Sequence, residues 1–106
     1  MSDKKNNLDP PQNDNRQPVE ADTFSRMCKA LAHPVRIQIL QHLMSFNQCI
    51  CGEIVNRFPL AQSTISQHLR MLKDAGLIQG TIEGSRTCYC VDHDRLNTFK
   101  NMAKAL

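Results

Sequence analysis

Residues 52–77, GEIVNRFPLAQSTISQHLRMLKDAGL, constrain the fold of this chain more than any other part of its sequence. Two stretches with helical spacing of apolar residues lie here, separated by a short turn that contains Pro59. In the second stretch Ile65, Leu69 and Leu72 follow one another at intervals of four and three residues, so they line one face of a helix. Two short helices joined by such a turn form a helix-turn-helix, whose second helix can enter the major groove of DNA.

The opposite face of the second helix carries short polar side chains and one arginine. Hydroxyl and amide groups of this size let a helix approach base edges closely, and arginine can bind guanine or phosphate. A solvated surface helix in an ordinary bundle is the alternative interpretation. For His68, at the boundary of the apolar stripe, packing is an equal alternative to a DNA contact. We predict a recognition helix over residues 62–70, with DNA contacts from Gln62, Ser63, Thr64, Ser66, Gln67, His68 and Arg70.

Two further helices are predicted before the helix-turn-helix. Apolar spacing places them over residues 23–32 and 34–44, and Pro34 suits the first turn of the second one because its missing N–H would be unpaired there anyway. Residues 45–51 predict a brief extended link, and residues 52–58 predict the first helix of the helix-turn-helix. Ala61 stands near the N-cap of the recognition helix without a capping side chain.

A hairpin and a last helix are predicted after the recognition helix. Gly76 suits the left-handed residue that ends a helix, and β-branched residues on both sides of residues 83–86 predict two antiparallel strands. Residues 92–106 have helical spacing behind a capping Asp92 or Asp94. The fold class expected is a mainly α winged helix-turn-helix, with five helices and an antiparallel sheet of two strands, or of three if the extended link joins it.

Composition limits the remaining possibilities. The first 21 residues are polar and lack apolar periodicity, so we expect a disordered arm ahead of a DNA-binding and dimerisation domain over residues 22–106. A formal net charge of +3 is compatible with phosphate contacts, although many soluble domains carry as much. No apolar run approaches the roughly 20 residues that span a bilayer. We therefore expect a cytoplasmic protein with no membrane partner and with reduced cysteines.

Four of the five cysteines form two Cys-x-Cys pairs, Cys49 with Cys51 and Cys88 with Cys90. Side chains two residues apart on a strand share a face, and the extended link should pair with the second wing strand, so up to four thiolates could converge. Thiolates suit zinc or cadmium, and arsenite with three of the four. The alternatives for these residues are core packing and thiol oxidation, while Cys28 is expected to pack within the first helix.

Four stretches of the sequence, in this order of elements, resemble the ArsR/SmtB family of bacterial winged-helix repressors. They are KALAHPVRIQIL over residues 29–40, GEIV over 52–55, QSTISQHLRMLKDAGLI over 62–78 and EGSR over 83–86. The resemblance implies a homodimer, joined by the first and last helices, that leaves a pseudo-palindromic operator when a metal, metalloid or oxidant binds. It also implies that Arg86, at the wing tip, reaches the adjacent minor groove or its phosphates, with a solvated hairpin charge as the equal alternative.

The cysteines depart from the metal motif of that family. Relatives that sense arsenite, cadmium or lead carry Glu-Leu-Cys-Val-Cys-Asp, and its two cysteines fall on Ile50 and Gly52 of this chain. Cys49 and Cys51 take the places of the motif's Leu and Val. The family's metal site is therefore not transferred, and the cysteine hypothesis depends on strand geometry alone.

We predict a dimeric repressor of double-stranded operator DNA, without catalytic activity or a catalytic cofactor. Its operator binding would be modulated by zinc, cadmium or arsenite at the cysteine thiolates. A thiol-redox-responsive regulator of the same fold is the first alternative. A Cys-x-Cys thiol oxidoreductase is disfavoured, because no thioredoxin-like alternation of strands and helices surrounds either pair. A winged helix that binds protein instead of DNA is a further alternative.

Overall fold

The computed structural model of the chain describes residues 20–46, 48–51 and 57–106. The helices in these ranges are α1 (Ala21–Ala30), α2 (Pro34–Met44), α3 (Gln62–Asp74) and α4 (His93–Ala105), and the strands are β1 (Ile50–Cys51), β2 (Ile78–Glu83) and β3 (Arg86–Val91). The strands form an antiparallel sheet with β3 between β1 and β2. None of the helices in the described ranges is long and apolar enough to cross a membrane.

The described part of the chain contains four helices, where the sequence predicts five. The fifth, over residues 52–58, falls mainly on residues 52–56, which lie outside the described ranges, as do residues 1–19 of the expected arm. The extended link does join the sheet as a third strand, β1, beside the second wing strand. Among the described residues the architecture is therefore mainly helical with a small antiparallel sheet.

Helix α1 begins and packs differently from the sequence prediction. It starts at Ala21, two residues early, because the Glu20 carboxylate caps it by accepting a hydrogen bond of 3.0 Å from the Thr23 N–H. This bond lowers the pKa of Glu20. Cys28 is exposed, contrary to the expectation that it packs, because Met27 and Ala30 occupy the buried positions of α1.

The hydrophobic core lies between α2, α3 and one face of the sheet. Ile65 and Leu72 of α3 are completely buried, and Leu69 between them is 2% exposed, which confirms the apolar stripe predicted for this helix. The buried cluster that contains this stripe also includes Met27 and Ala30 of α1, Ile39, Leu40 and Leu43 of α2, and Ile50, Ile78 and Val91 of the sheet. The opposite, polar face of α3 is thereby directed outward.

The two ends of α3 are held by backbone hydrogen bonds. At its start the Ala61 carbonyl accepts from the N–H groups of Thr64 and Ile65, and Ala61 supplies no side-chain cap, as the sequence predicts. At its end Gly76 has φ 83°, its N–H donates to the Lys73 carbonyl, and the Leu77 N–H donates to the Leu72 carbonyl. This pair of bonds is a Schellman motif, which ends the helix and directs the chain into β2.

Arg36 joins three helices through its guanidinium group. Its Nε donates to the Ala30 carbonyl at 2.7 Å and its Nη2 to the Lys29 carbonyl at 3.3 Å, so the cation lies at the C-terminal end of α1. Its Nη1 donates to Nδ1 of His68 in α3 at 3.2 Å. The His68 ring also lies 4.6 Å from the ring of His33, which precedes α2. Desolvation, followed by the charges of His33 and Arg36, lowers the pKa of His68.

Asp92 caps α4, which settles the choice that the sequence left between Asp92 and Asp94. Its carboxylate accepts one hydrogen bond of 3.0 Å from the Arg95 N–H and another of 3.0 Å from Nε2 of Gln79. These bonds lower the pKa of Asp92. The Asp92 N–H also donates to the Leu77 carbonyl, so the start of α4 is connected to the chain that leaves α3.

Replacing Leu72 tests whether the apolar stripe supports the fold. Leu72→Ala removes a completely buried side chain and should lower the free energy of unfolding by about 2–5 kcal/mol, because it leaves a cavity. The neighbouring Met71 is 36% exposed, so Met71→Ala should cost about 1 kcal/mol or less. Denaturant unfolding followed by circular dichroism measures both. Equal losses in the two variants would contradict the orientation of α3.

His68 should make stability depend on pH. Its folded pKa is lowered, so below about pH 6.5 the unfolded state takes up a proton that folded His68 resists, and stability falls as the pH falls. His68→Gln should lose this part of the decline when unfolding free energies at about pH 7.5 and about pH 5.5 are compared. Gln38→Ala, which changes an exposed side chain of α2 that does not titrate, should keep the wild-type dependence. A decline unchanged by His68→Gln would refute the assignment.

Candidate nucleic-acid interface and cysteine cluster

The polar face of α3 is available to a ligand. Most of the side chains predicted to contact DNA are exposed, namely Gln62, Ser63, Ser66, Gln67 and Arg70. Ser63, Gln67 and Arg70 lie on the side of the helix opposite the buried Ile65, Leu69 and Leu72, whereas Gln62 and Ser66 lie nearer to that stripe. Thr64 and His68 are half-buried at the border of this face. The helix therefore presents amide, hydroxyl and guanidinium groups while its apolar side is held by the core.

His68 has a structural partner in addition to its predicted role. Its Nδ1 accepts from Arg36, so only Nε2 of the ring remains for a hydrogen bond to DNA. The same contact fixes the ring at the junction of α2 and α3. A DNA contact of His68 stays a prediction, and it can involve one ring nitrogen only.

The hairpin of β2 and β3 forms the wing beside α3. Its turn contains Gly84 with φ 65°, and on either side of the turn Glu83 and Arg86 are paired across the strands. Arg86 is exposed at the tip, where the sequence predicts a DNA contact. A hairpin thus follows α3, and it places one guanidinium group at its far end.

An open groove separates the outward side of α3 from the wing. Gly80 lies at the wing side of this groove, where a Cβ atom would be 3.4 Å from the Tyr89 ring and 3.6 Å from Cδ of Lys73, both ordinary van der Waals distances. Arg70 and Lys73 line the groove together. Sequence analysis did not select Lys73, although its spacing of three residues from Arg70 on a helix would have been a signal.

The four paired cysteines lie on one face of the sheet, on β3 and on or directly before the neighbouring strand β1, as the predicted pairing of the extended link with the second wing strand requires. Cys51 and Cys88 are direct partners in the ladder, with Cα atoms 4.0 Å apart, and the Cα atoms of Cys49 and Cys90 are 4.3 Å apart. Each of these cross-strand pairs is joined as a disulfide, and Cys28 is free. The structure therefore differs from the expectation of reduced thiols.

The pairing runs across the strands instead of along them. Residues two apart on one strand are separated by roughly 6.5–7 Å, whereas directly opposite residues of antiparallel strands lie about 4.5–5.5 Å apart. Each sulfur is consequently nearer to the facing cysteine than to the second cysteine of its own Cys-x-Cys pair. The four sulfurs form two separate units, Cys49 with Cys90 and Cys51 with Cys88, and not one set of four ligands.

The unit of Cys51 and Cys88 has a carboxylate beside it. The Cys51 Sγ lies 4.0 Å from Oε1 of Glu83, and the ligand atoms of Cys51, Cys88 and Glu83 all lie within 4.8 Å of one another. Among the described residues no other group of three such side chains is as close. Sequence analysis missed Glu83, which it assigned to the turn. In the observed register Glu83 shares the face of Thr81, the partner of Cys88.

The unit of Cys49 and Cys90 has different surroundings. It borders a small pocket between the end of α2 and the start of α4, whose lining includes Leu43, Phe46 and His93. The two sulfur units therefore have different neighbours, a carboxylate at the wing for one and a pocket lined by apolar side chains and His93 for the other.

Comparison with known proteins identifies the family. The model of "Bacterial regulatory protein, arsR family" matches residues 33–79, which contain α2, β1 and α3. The transcriptional regulator YgaV of Escherichia coli is 31% identical over 88 residues, which cover 79% of this chain and 89% of that protein. The transcriptional repressor SmtB of Mycobacterium tuberculosis is 37% identical over 73 residues, 68% of this chain, and the match spans only 53% of the repressor's length.

Solved structures agree with this result. The homodimeric winged helix-turn-helix DNA-binding domain of a possible ArsR-family regulator from Mycobacterium bovis, determined by NMR, superimposes with a TM-score of 0.66 at 28% identity. The superposition covers 86% of this chain and 87% of that domain. Both the order of elements and the sequence lead to the same assignment: the chain belongs to the ArsR family of bacterial regulatory proteins.

Proposed function

We propose that the protein is a homodimeric transcriptional repressor that binds double-stranded operator DNA with α3 and the wing. The observation that carries this proposal is the exposed row of Ser63, Gln67 and Arg70 on a helix whose other side is buried. Two similarities support it, since SmtB is a transcriptional repressor and the Mycobacterium bovis domain is a homodimer that binds DNA.

Each part of the interface has a separate role in this proposal. Gln67 and Arg70 would hydrogen-bond to base edges in the major groove, where amide and guanidinium groups distinguish adenine and guanine. Lys73, beside Arg70, would contact a phosphate and contribute affinity that does not depend on sequence. Arg86 would reach the minor groove or its phosphates from the tip of the wing.

The dimer would place two copies of α3 in successive major grooves, about 34–36 Å apart. The Phe24 and Phe99 rings stack at 5.4 Å and hold α1 against α4. Further apolar side chains of α4 remain accessible, since Met102 is half-buried and Leu106 is 85% exposed. We propose that α1 and α4 form the interface with the second protomer, because a domain of this size gains stability from burying such a surface.

Operator binding would be controlled at Cys49, Cys51, Cys88 and Cys90. In the reduced protein their thiolates would bind a soft metal or metalloid ion, with zinc, cadmium and arsenite as the candidates. β1 lies ahead of α3 in the chain and β3 belongs to the wing, so a ligand between them would alter the position of the wing relative to α3. This is coupling between two binding sites and involves no catalysis.

Thiol oxidation is a second candidate for the control, and the cross-strand pairing of the sulfurs favours it. A peroxide would oxidise one thiol of a pair to a sulfenic acid and be reduced to an alcohol or water. The facing thiol would then displace water from the sulfenic acid and form the disulfide. The structure, with both pairs joined, corresponds to the product of this reaction.

Replacing single side chains of α3 tests the DNA interface. Gln67→Ala and Arg70→Ala should each weaken operator binding by about 1–3 kcal/mol, because each removes hydrogen bonds to a base edge. Gln38, an exposed glutamine of α2, provides the control variant Gln38→Ala, which should bind like the wild type. Fluorescence anisotropy at one fixed salt concentration measures the affinities for a duplex selected from a random pool. Unchanged affinity in both α3 variants would favour the protein-binding alternative.

Replacing all four paired cysteines by serine tests whether these residues control operator binding. In reduced wild-type protein, zinc, cadmium or arsenite should lower operator affinity, and the quadruple variant should not respond. A peroxide effect that a dithiol reverses would assign the control to oxidation. A response retained by the quadruple variant would place the sensor elsewhere, and a wild-type protein indifferent to all four reagents would refute the sensor proposal.

A further inference from the structure

We propose that Cys51, Cys88 and Glu83 form a binding site for one divalent cation of borderline softness, Zn²⁺ or Cd²⁺, when the two cysteines are reduced. The inference rests on the proposed control at the cysteines. It adds Glu83 as a ligand from outside both Cys-x-Cys pairs. It also assigns ion binding to the unit of Cys51 and Cys88 and not to the unit of Cys49 and Cys90.

The sheet topology brings these ligands together from three different strands. Cys51 belongs to β1, Glu83 to β2 and Cys88 to the central β3. Their ligand atoms lie within 4.8 Å of one another, with 4.0 Å between the Cys51 Sγ and Glu83 Oε1. Two thiolates on a tetrahedral zinc ion are about 3.8 Å apart, so the ligands need only small movements once the sulfurs separate.

The donor set determines which ion the site would accept. Two thiolates and one carboxylate are suitable zinc ligands, and three protein ligands leave a fourth position for water. Cadmium accepts the same set because it is soft enough for the thiolates. Trivalent arsenic prefers three thiolates, and the close group contains no third sulfur. The site should therefore select Zn²⁺ and Cd²⁺ over arsenite.

The three ligands differ in how deeply they are buried. Cys88 is completely buried and Cys51 is half-buried, whereas Glu83 is exposed next to the wing turn. An ion would approach from the side of Glu83 and lose its water molecules progressively as the two sulfurs bind. The low polarity around Cys88 would strengthen the interaction between the ion and its thiolate.

The disulfide between Cys51 and Cys88 must be reduced before the ion can bind. A dithiol such as dithiothreitol gives two electrons to the Cys51–Cys88 disulfide and becomes a cyclic disulfide, which leaves two thiols on the protein. The ion then displaces one proton from each thiol. The two thiolates neutralise the ion, so the formal charge of the site stays that of Glu83 alone.

Because the formal charge of the site does not change, the ion would affect DNA binding through the position of the wing and not through charge. Glu83 is paired across the hairpin with Arg86, the residue proposed to contact the minor groove. An ion held by all three strands would fix the wing tip to β1, which lies ahead of α3 in the chain. The orientation of Arg86 would change with occupancy while the charge beside it would not.

Cadmium titration of the reduced full-length chain, without DNA, tests the site. The protein is kept reduced with a phosphine, which competes little for the ion, and binding is followed by the thiolate-to-cadmium absorption band against a chromophoric chelator. Glu83→Gln should lower the affinity about tenfold or more, because it removes a ligand from an exposed position that does not support the fold. Asp94→Asn, which changes another exposed carboxylate, should have no effect.

Two double variants assign the sulfurs. C51S/C88S should abolish the absorption band, whereas C49S/C90S should retain one tightly bound ion, and binding should release about two protons. A band unaffected by Glu83→Gln, or one lost in C49S/C90S, would overturn the proposal, as would arsenite binding to C49S/C90S more tightly than cadmium. Because no DNA is present, these outcomes are independent of whether the protein binds an operator.

Discussion

Burial of the apolar stripe of α3 supports every other feature of this structure. Ile65, Leu69 and Leu72 belong to a buried cluster to which α1, α2 and one face of the sheet also contribute, and each completely buried aliphatic side chain stabilises the fold by about 1.5–3 kcal/mol. Because the stripe is narrow, burying it also determines the rotation of the helix about its axis. The polar side chains of Ser63, Gln67 and Arg70 reach solvent for that reason.

Hydrogen bonds at the ends of the helices connect α1, α3, the wing and α4. The guanidinium group of Arg36 connects the end of α1 to His68 in α3, and the Schellman motif at Gly76 turns the chain into the wing. The Leu77 carbonyl then receives the N–H of Asp92 and joins the wing to α4. A change in the position of the wing relative to α3 must therefore act against a connected network of hydrogen bonds.

Local features were predicted well from the sequence. The bounds of α2, the glycine at the end of α3, the hairpin after it and the uncapped Ala61 are all confirmed, because spacing, turn chemistry and capping act over a few residues. The start of α1 and the environment of Cys28 were predicted incorrectly. Both depend on small shifts at a helix end, where Glu20 supplies a cap that apolar periodicity does not indicate.

The amino-acid sequence alone determined which faces of the elements are apolar, and hence a mainly helical fold with a small antiparallel sheet and a helix α3 with one polar face, since periodicity along the chain records burial directly. Only the tertiary structure decided that Cys49 faces Cys90, that Cys51 faces Cys88 and that Glu83 joins the second of these pairs. These partners are separated by 41, 37 and 32 residues. The strand register brings them together, and that register follows from how the whole sheet packs on the helices.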